Sequence, residues 1–122
     1  MVGTTDDPTS DLCWHKKLAE DGFPVKVCPS FRPDPALNCH KAGFAEYIAN
    51  LSQVSGVEIR CAEDVAKALT QRIDYFDSCG CRASDHGLDY VMYRIGTAEQ
   101  INEVFAKAMA GQTVTVEETE LY

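Results

Sequence analysis

Residues 62–87 read AEDVAKALTQRIDYFDSCGCRASDHG, and the fold class is decided in this stretch. Val65, Leu69, Ile73 and Phe76 recur at threes and fours, which puts them on one face of a helix running from Ala62 to Ser78. Gly80 stands where a helix C-terminal cap belongs. The chain then passes straight into Cys81-Arg82-Ala83-Ser84-Asp85-His86-Gly87, a polar cluster that follows on a presumed strand. Helix, glycine stop, short strand and polar loop in that order form the repeating unit of an α/β protein with parallel strands.

The same unit recurs upstream. A short apolar start turns abruptly into Thr4-Thr5-Asp6-Asp7-Pro8, the pattern of a strand spilling into a polar loop. Ser10 or Asp11 can cap a helix through Ala19, with Leu12, Trp14 and Leu18 on its apolar face and Asp21-Gly22 at its end. Val25 to Cys28 is a buried-strand pattern that stops at Pro29. Ser30-Phe31-Arg32-Pro33-Asp34-Pro35 is expected to be irregular, because its prolines deny both helix and ladder hydrogen bonds. Helices are expected from about Lys41 to Ser52 (Phe44, Tyr47, Ile48, Leu51) and from Ala98 to Ala110 (Ile101, Val104, Phe105, Met109). Another begins at Thr115 or Val116.

The expected architecture is α/β, with about three parallel strands and four to five helices. Three strands leave two unpaired edges, and a buried parallel sheet needs cover on both faces. Residues 1–122 therefore read as a single incomplete α/β segment, able to self-associate through exposed sheet edges.

Bulk composition narrows the function. Hydrophobic residues make up 45% of the 122, which excludes wholesale disorder. Lys and Arg total 11 against 19 Asp and Glu, a formal charge of -8, so no basic stripe exists for nucleic acid or an anionic membrane. No apolar run is long enough to span a bilayer, and the N-terminal residues lack the pattern of an export signal. A cytoplasmic location is the expectation. In that setting the six cysteines are expected to be reduced thiols rather than disulfides.

Three polar clusters share one position, each directly after a presumed strand: Thr4-Thr5-Asp6-Asp7, Ser30-Phe31-Arg32-Pro33-Asp34 and Ser84-Asp85-His86-Gly87. At the C-terminal ends of successive parallel strands such clusters converge on one site. Asp6, Arg32 and His86 would then face a common substrate. Each has a plainer reading. Asp6 and Asp7 before Pro8 are turn residues, Arg32 can pair with Asp34 at the surface, and Asp85-His86-Gly87 can be a solvated turn. Cys79, Cys81 and His86 offer an alternative, a small zinc- or redox-linked binding module, although C-x-C with a histidine five residues on matches no usual ligand spacing. His15 reads as a partly exposed helix residue.

Thr4-Thr5-Asp6-Asp7-Pro8, Pro29-Ser30-Phe31-Arg32-Pro33-Asp34, Gly43-Phe44, Ala68-Leu69-Thr70-Gln71-Arg72 and Gly80-Cys81-Arg82-Ala83-Ser84-Asp85-His86-Gly87 together resemble the interior of the glucuronate (uronate) isomerases. The likeness covers nearly the whole chain, in order and with compatible spacing. It implies a distorted TIM barrel of the amidohydrolase superfamily that interconverts D-glucuronate with D-fructuronate and D-galacturonate with D-tagaturonate in hexuronate catabolism. It also implies a divalent metal, expected to be zinc, whose His-x-His and late-strand Asp ligands are absent here.

Carried onto this chain, the resemblance makes His86 a catalytic residue and a candidate metal ligand. Arg32 becomes the grip on the uronate carboxylate. Asp6, with Asp7 second, becomes a group for proton handling or for orienting a sugar hydroxyl. A complete barrel takes roughly 250 residues or more, so this chain alone is expected neither to hold the metal stably nor to isomerise uronates.

Overall fold

The computed structural model describes residues 1–122. Strand β1 (Val2–Gly3) pairs in parallel with β2 (Val27–Cys28), Val2 opposite Val27 and Gly3 opposite Cys28. The ladder continues beyond both. Thr4 N donates to Cys28 O, Ser30 N to Thr4 O, Asp6 N to Ser30 O and Arg32 N to Asp6 O, all at 3.0–3.1 Å, and Asp6 lies opposite Phe31 in the same register. β2 and β3 (Ser30–Phe31) are thus one strand line, broken at Pro29 because proline has no N–H to donate. β3 in turn pairs in parallel with β4 (Ala83–Ser84).

Three parallel lines therefore lie side by side in sequence order. Helix α1 (Cys13–Glu20) connects the first to the second. Helices α2 (Asp34–Leu37), α3 (Phe44–Ser55) and α4 (Ala62–Ser78) connect the second to the third, and α5 (Ala98–Met109) and α6 (Val116–Leu121) follow. The expected three parallel strands are present. Six helices replace the expected four to five, the addition being the single turn α2.

That turn corrects the reading of residues 30–35 as irregular. Ser30 and Phe31 are in the ladder, while Pro33 is the N-cap and Pro35 the second residue of α2. Proline is tolerated there because the first-turn N–H groups have no helical acceptor in any case. Helix α3 begins at Phe44 rather than near Lys41, since Gly43 before it adopts φ 86°. Helix α4 matches its expected span, and Gly80 after it adopts φ 91°. Reciprocal capping boxes start the last two helices, Thr97 with Gln100 and Thr115 with Glu118.

The main core lies between helices: Phe44, Ile48 and Leu51 of α3 meet Val65 and Ala68 of α4 and Val104, Phe105 and Ala108 of α5. Tyr122 stacks on Phe105, their rings 6.2 Å apart, and meets Phe44 edge-on at 5.7 Å. A smaller cluster of Leu12, Phe31, Phe76 and Cys81 sits beneath the sheet, with Phe31 edge-on to Phe76 at 5.2 Å. Leu12 is 2% exposed although its φ is 52°; its burial offsets a backbone cost of about 1–2 kcal/mol.

Three residues expected to be buried are exposed: Val25, which precedes the short strand β2 and is 38% exposed, and two helix residues. Trp14 is 71% exposed and Ile73 49% exposed. Helix α1 buries no residue at all. Ile73 lies on the outer flank of α4, beside the unpaired edge of β4.

Candidate active site at the strand ends

Parallel register puts the three polar clusters at one end of the sheet. Arg32 N donates to Asp6 O at 3.0 Å and Asp85 N to Phe31 O at 3.1 Å, so Asp6, Arg32 and Asp85 leave their strands side by side. Beyond this line two acid–base pairs interlock. Arg32 donates from Nη2 to Asp85 Oδ2, while His86 Nδ1 lies 3.1 Å from Asp34 Oδ1. Asp34 Oδ2 accepts the Gly87 N–H at 2.6 Å. Both oxygens of Asp34 are thus engaged by the His86-Gly87 turn, and its side chain is only 13% exposed.

Close approach favours glycine at 87. A Cβ there would stand 3.1 Å from Asp34 Oδ2 and 3.8 Å from Arg32 Nη1. With Nδ1 turned to Asp34, His86 presents Nε2 outward, and its side chain is 44% exposed. A cleft of about 560 Å³ opens beside it, walled by Phe31, Pro33, Ile73, Phe76 and Arg82. Arg32 does not pair with Asp34 as its plainer reading expects, because Asp34 is already taken by the turn.

Asp6 stands on the neighbouring strand with different partners. Thr4 Oγ1 donates to its Oδ2 at 2.5 Å and lies 2.8 Å from His15 Nε2, which is itself 3.7 Å from Asp6. Asp7 accepts from Thr9 N at 2.8 Å and Thr9 Oγ1 at 2.7 Å, the turn pattern anticipated for it, and from Tyr47 Oη at 3.3 Å. Burial, with Asp7 alongside, pushes the Tyr47 phenol well above its usual range, so it stays a donor. The structure therefore joins Arg32 and His86 through Asp85 and Asp34, whereas Asp6 and Asp7 are held by separate local networks.

Asp34 and His15 were not singled out as site residues by sequence reasoning. For Asp34 a signal existed, since Pro33-Asp34-Pro35 is a helix-start pattern that fixes an acid at the first turn. His15 carried none, because its partners Thr4 and Asp6 are defined only once α1 lies on the sheet.

No group of three or more His, Cys, Asp or Glu side chains is placed to hold an ion. Cys81 Sγ donates to Ala83 O at 3.2 Å, Cys79 turns to Ser78, and His86 faces Asp34, so these three do not converge. His86 Nε2 is a single free donor atom, and one donor is too few for a tetrahedral or octahedral site. These residues do not fit a metal centre on their own. All six cysteines are free thiols, and burial raises the Cys39 thiol to about 11.

Comparison with known proteins extends over the whole chain. The model of the glucuronate isomerase family matches residues 1–122. A uronate isomerase of Clostridium perfringens is 47% identical over 122 residues, covering 99% of this chain and 26% of that protein. One from Lachnoclostridium phytofermentans is 47% identical over 115 residues, covering 93% and 25%. Among solved structures, the uronate isomerase of Thermotoga maritima superposes with a TM-score of 0.89 at 32% identity, over 97% of this chain and 26% of its own. The glucuronate isomerase of Caulobacter crescentus, 23% identical with a TM-score of 0.84, shares the fold. The chain spans about a quarter of the length of the curated relatives it matches.

Proposed function

The chain belongs to the glucuronate isomerase family, and from that premise we propose that it supplies one wall of the active site of an aldose–ketose isomerase acting on hexuronates. The substrates would be D-glucuronate or D-galacturonate and their ketose partners. The three sequential parallel lines would be consecutive staves of a (β/α) barrel, whose reacting groups gather at the C-terminal strand ends. The observation that carries the reading is the pairing of His86 with Asp34 and of Arg32 with Asp85 at those ends.

Isomerisation between an aldose and a ketose removes the proton at C2 and returns one at C1, usually through an enediol. Such a reaction needs a positioned base and a polarised carbonyl. His86 meets the first need: with Nδ1–H donated to Asp34, its Nε2 carries a lone pair able to accept a proton and later return it. Arg32 meets a different one. An anionic sugar approaches a chain of formal charge -8, and a cation at the site offsets that field locally. Asp6, oriented by Thr4 and His15, would handle a second proton or fix a sugar hydroxyl, with Asp7 the alternative for that role.

A divalent cation, with zinc the expected identity, would polarise the sugar carbonyl as a Lewis acid in the complete enzyme. Its ligands would come mainly from outside residues 1–122, and His86 Nε2 would be one of them only in place of its role in proton transfer. The 122-residue chain alone would therefore be inactive.

The test is a His86→Asn substitution in the complete isomerase. A loss in kcat of about 10²–10⁴ is expected for a removed general acid–base group. Retention of full kcat would remove His86 from the chemistry. A spectrophotometric assay in which the pure 122-residue chain converts D-glucuronate would overturn the assignment of the activity to the longer protein.

A further inference from the structure

A guanidinium offers a carboxylate two forks, the side fork of Nε and Nη2 and the end fork of Nη1 and Nη2. In Arg32, Nη2 is bonded to Asp85 Oδ2. Arg32 Nε and Asp85 Oδ1 are both buried, and neither has a hydrogen-bond partner. The Nε–Oδ1 bond that would complete a side-on pair is therefore not made, and Asp85 holds Arg32 through Nη2 alone. Nη1 faces Gly87, where even a Cβ would stand 3.8 Å away. Nη1 makes no hydrogen bond, and it lies toward the turn that carries His86.

We propose that Asp85 is a positioning residue for substrate recognition: it holds Nη2 of Arg32 and so presents Nη1 to the substrate's carboxylate. The proposal rests on the reading of Arg32 as the carboxylate-binding group. Without Asp85, Arg32 loses its only side-chain partner and can swing through the rotamers of a long, half-exposed side chain. The carboxylate would then have to immobilise the arginine as well as bind it, which weakens binding and leaves proton transfer at His86 untouched. Asp85 reaches this place through its backbone, since its N–H donates to Phe31 O at 3.1 Å on the residue just before Arg32.

The experiment measures kcat and KM for D-glucuronate in the complete isomerase, with Arg32→Lys, Asp85→Asn and Asp85→Ala. Arg32→Lys removes the fork and should raise KM on the order of tenfold. Both Asp85 variants should raise KM roughly fivefold or more with kcat within about twofold, and Asp85→Asn should add little to Arg32→Lys. A raised KM in Arg32→Lys with an unchanged KM in both Asp85 variants would overturn the role of Asp85 and leave that of Arg32 standing. An unchanged KM in Arg32→Lys would overturn the Arg32 reading itself, and this proposal with it. A lower KM in Asp85→Asn would mean that Asp85 competes with substrate, and a fall in kcat and melting temperature together would mean a general structural role. Either result overturns the proposal.

Discussion

Asp34 receives His86 Nδ1 on one carboxylate oxygen at 3.1 Å and the Gly87 N–H on the other at 2.6 Å, so a single acid fixes both the direction and the tautomer of the imidazole. The two residues are 52 positions apart and meet only because β3 and β4 are adjacent and parallel. Asp34 opens the one-turn helix α2. An imidazole held in this way keeps its outer nitrogen free for proton transfer.

Replacing Asp34 by Asn retains the shape of the side chain and removes the charge. In the complete isomerase kcat should then fall on the order of 100-fold, within the range for general acid–base groups, while KM changes less. Steady-state kinetics of Asp34→Asn beside His86→Asn provides the check. Two losses that combine far below their product would show that the pair acts as one unit, and a full multiplication would show that it does not.

Gly87→Ala tests the close approach. The new Cβ would press on Asp34 Oδ2 at 3.1 Å, and the turn would have to withdraw by a few tenths of an ångström. The expected result is a drop in kcat of roughly tenfold, since a small misplacement of a reacting group is costly, with little change in melting temperature. An unaltered kcat would show that the turn yields without disturbing His86.

The span of helix α4 was legible in the sequence because Val65, Leu69, Ile73 and Phe76 follow one helical period. The strand-end clusters were legible for the same reason, as each stands at the junction of two periodic segments. Residues 30–35 were not, because proline density signals a broken ladder and a helix start equally well, and which holds depends on strands 25 residues before and 53 residues after, through Asp6↔Phe31 and Ser30↔Ala83. Trp14 and Ile73 misled because apolar spacing marks a face to be covered without saying whether the cover lies within the chain. His15 was obscured by its ordinary place on a helix; only tertiary contact with Thr4 and Asp6 gives it a role.

The Cys39 thiol supplies a pH dependence whose sign is fixed. Burial raises its pKa from 9.0 to about 11, so in the folded chain it keeps its proton after the unfolded chain has lost it. Folding then retains more protons than unfolding, and stability declines as pH rises from about 9 through about 11. Urea melts of the wild type and Cys39→Ala across that window should show a steeper decline for the wild type. Equal slopes would mean that the thiol is not protected by folding. The same burial predicts that exposed Cys13 is alkylated long before Cys39 under native conditions.

Arg72 carries the largest expected stability effect outside the apolar core. The residue is 6% exposed, and its guanidinium has no acidic partner. Instead Nε donates to Pro8 O at 2.7 Å, Nη2 to Ser10 O at 2.8 Å and Nη1 to Val54 O at 3.4 Å, while the Tyr75 ring lies 4.1 Å from its central carbon. These bonds tie α4 to the loop after β1 and to the end of α3, so one side chain closes three separate segments. Replacement by Met fills much of the space and leaves the carbonyls of Pro8, Ser10 and Val54 without this donor. A loss of about 3 kcal/mol is expected from unsatisfied buried acceptors and the missing charge-assisted bonds. Arg72→Lys should recover only part of it, since an ammonium cannot reproduce the planar fork. Denaturant melts of the three proteins decide the matter: a Met variant within 1 kcal/mol of wild type, roughly the worth of a single neutral bond, would mean that water replaces the guanidinium at little cost and that the loop after β1 is anchored elsewhere.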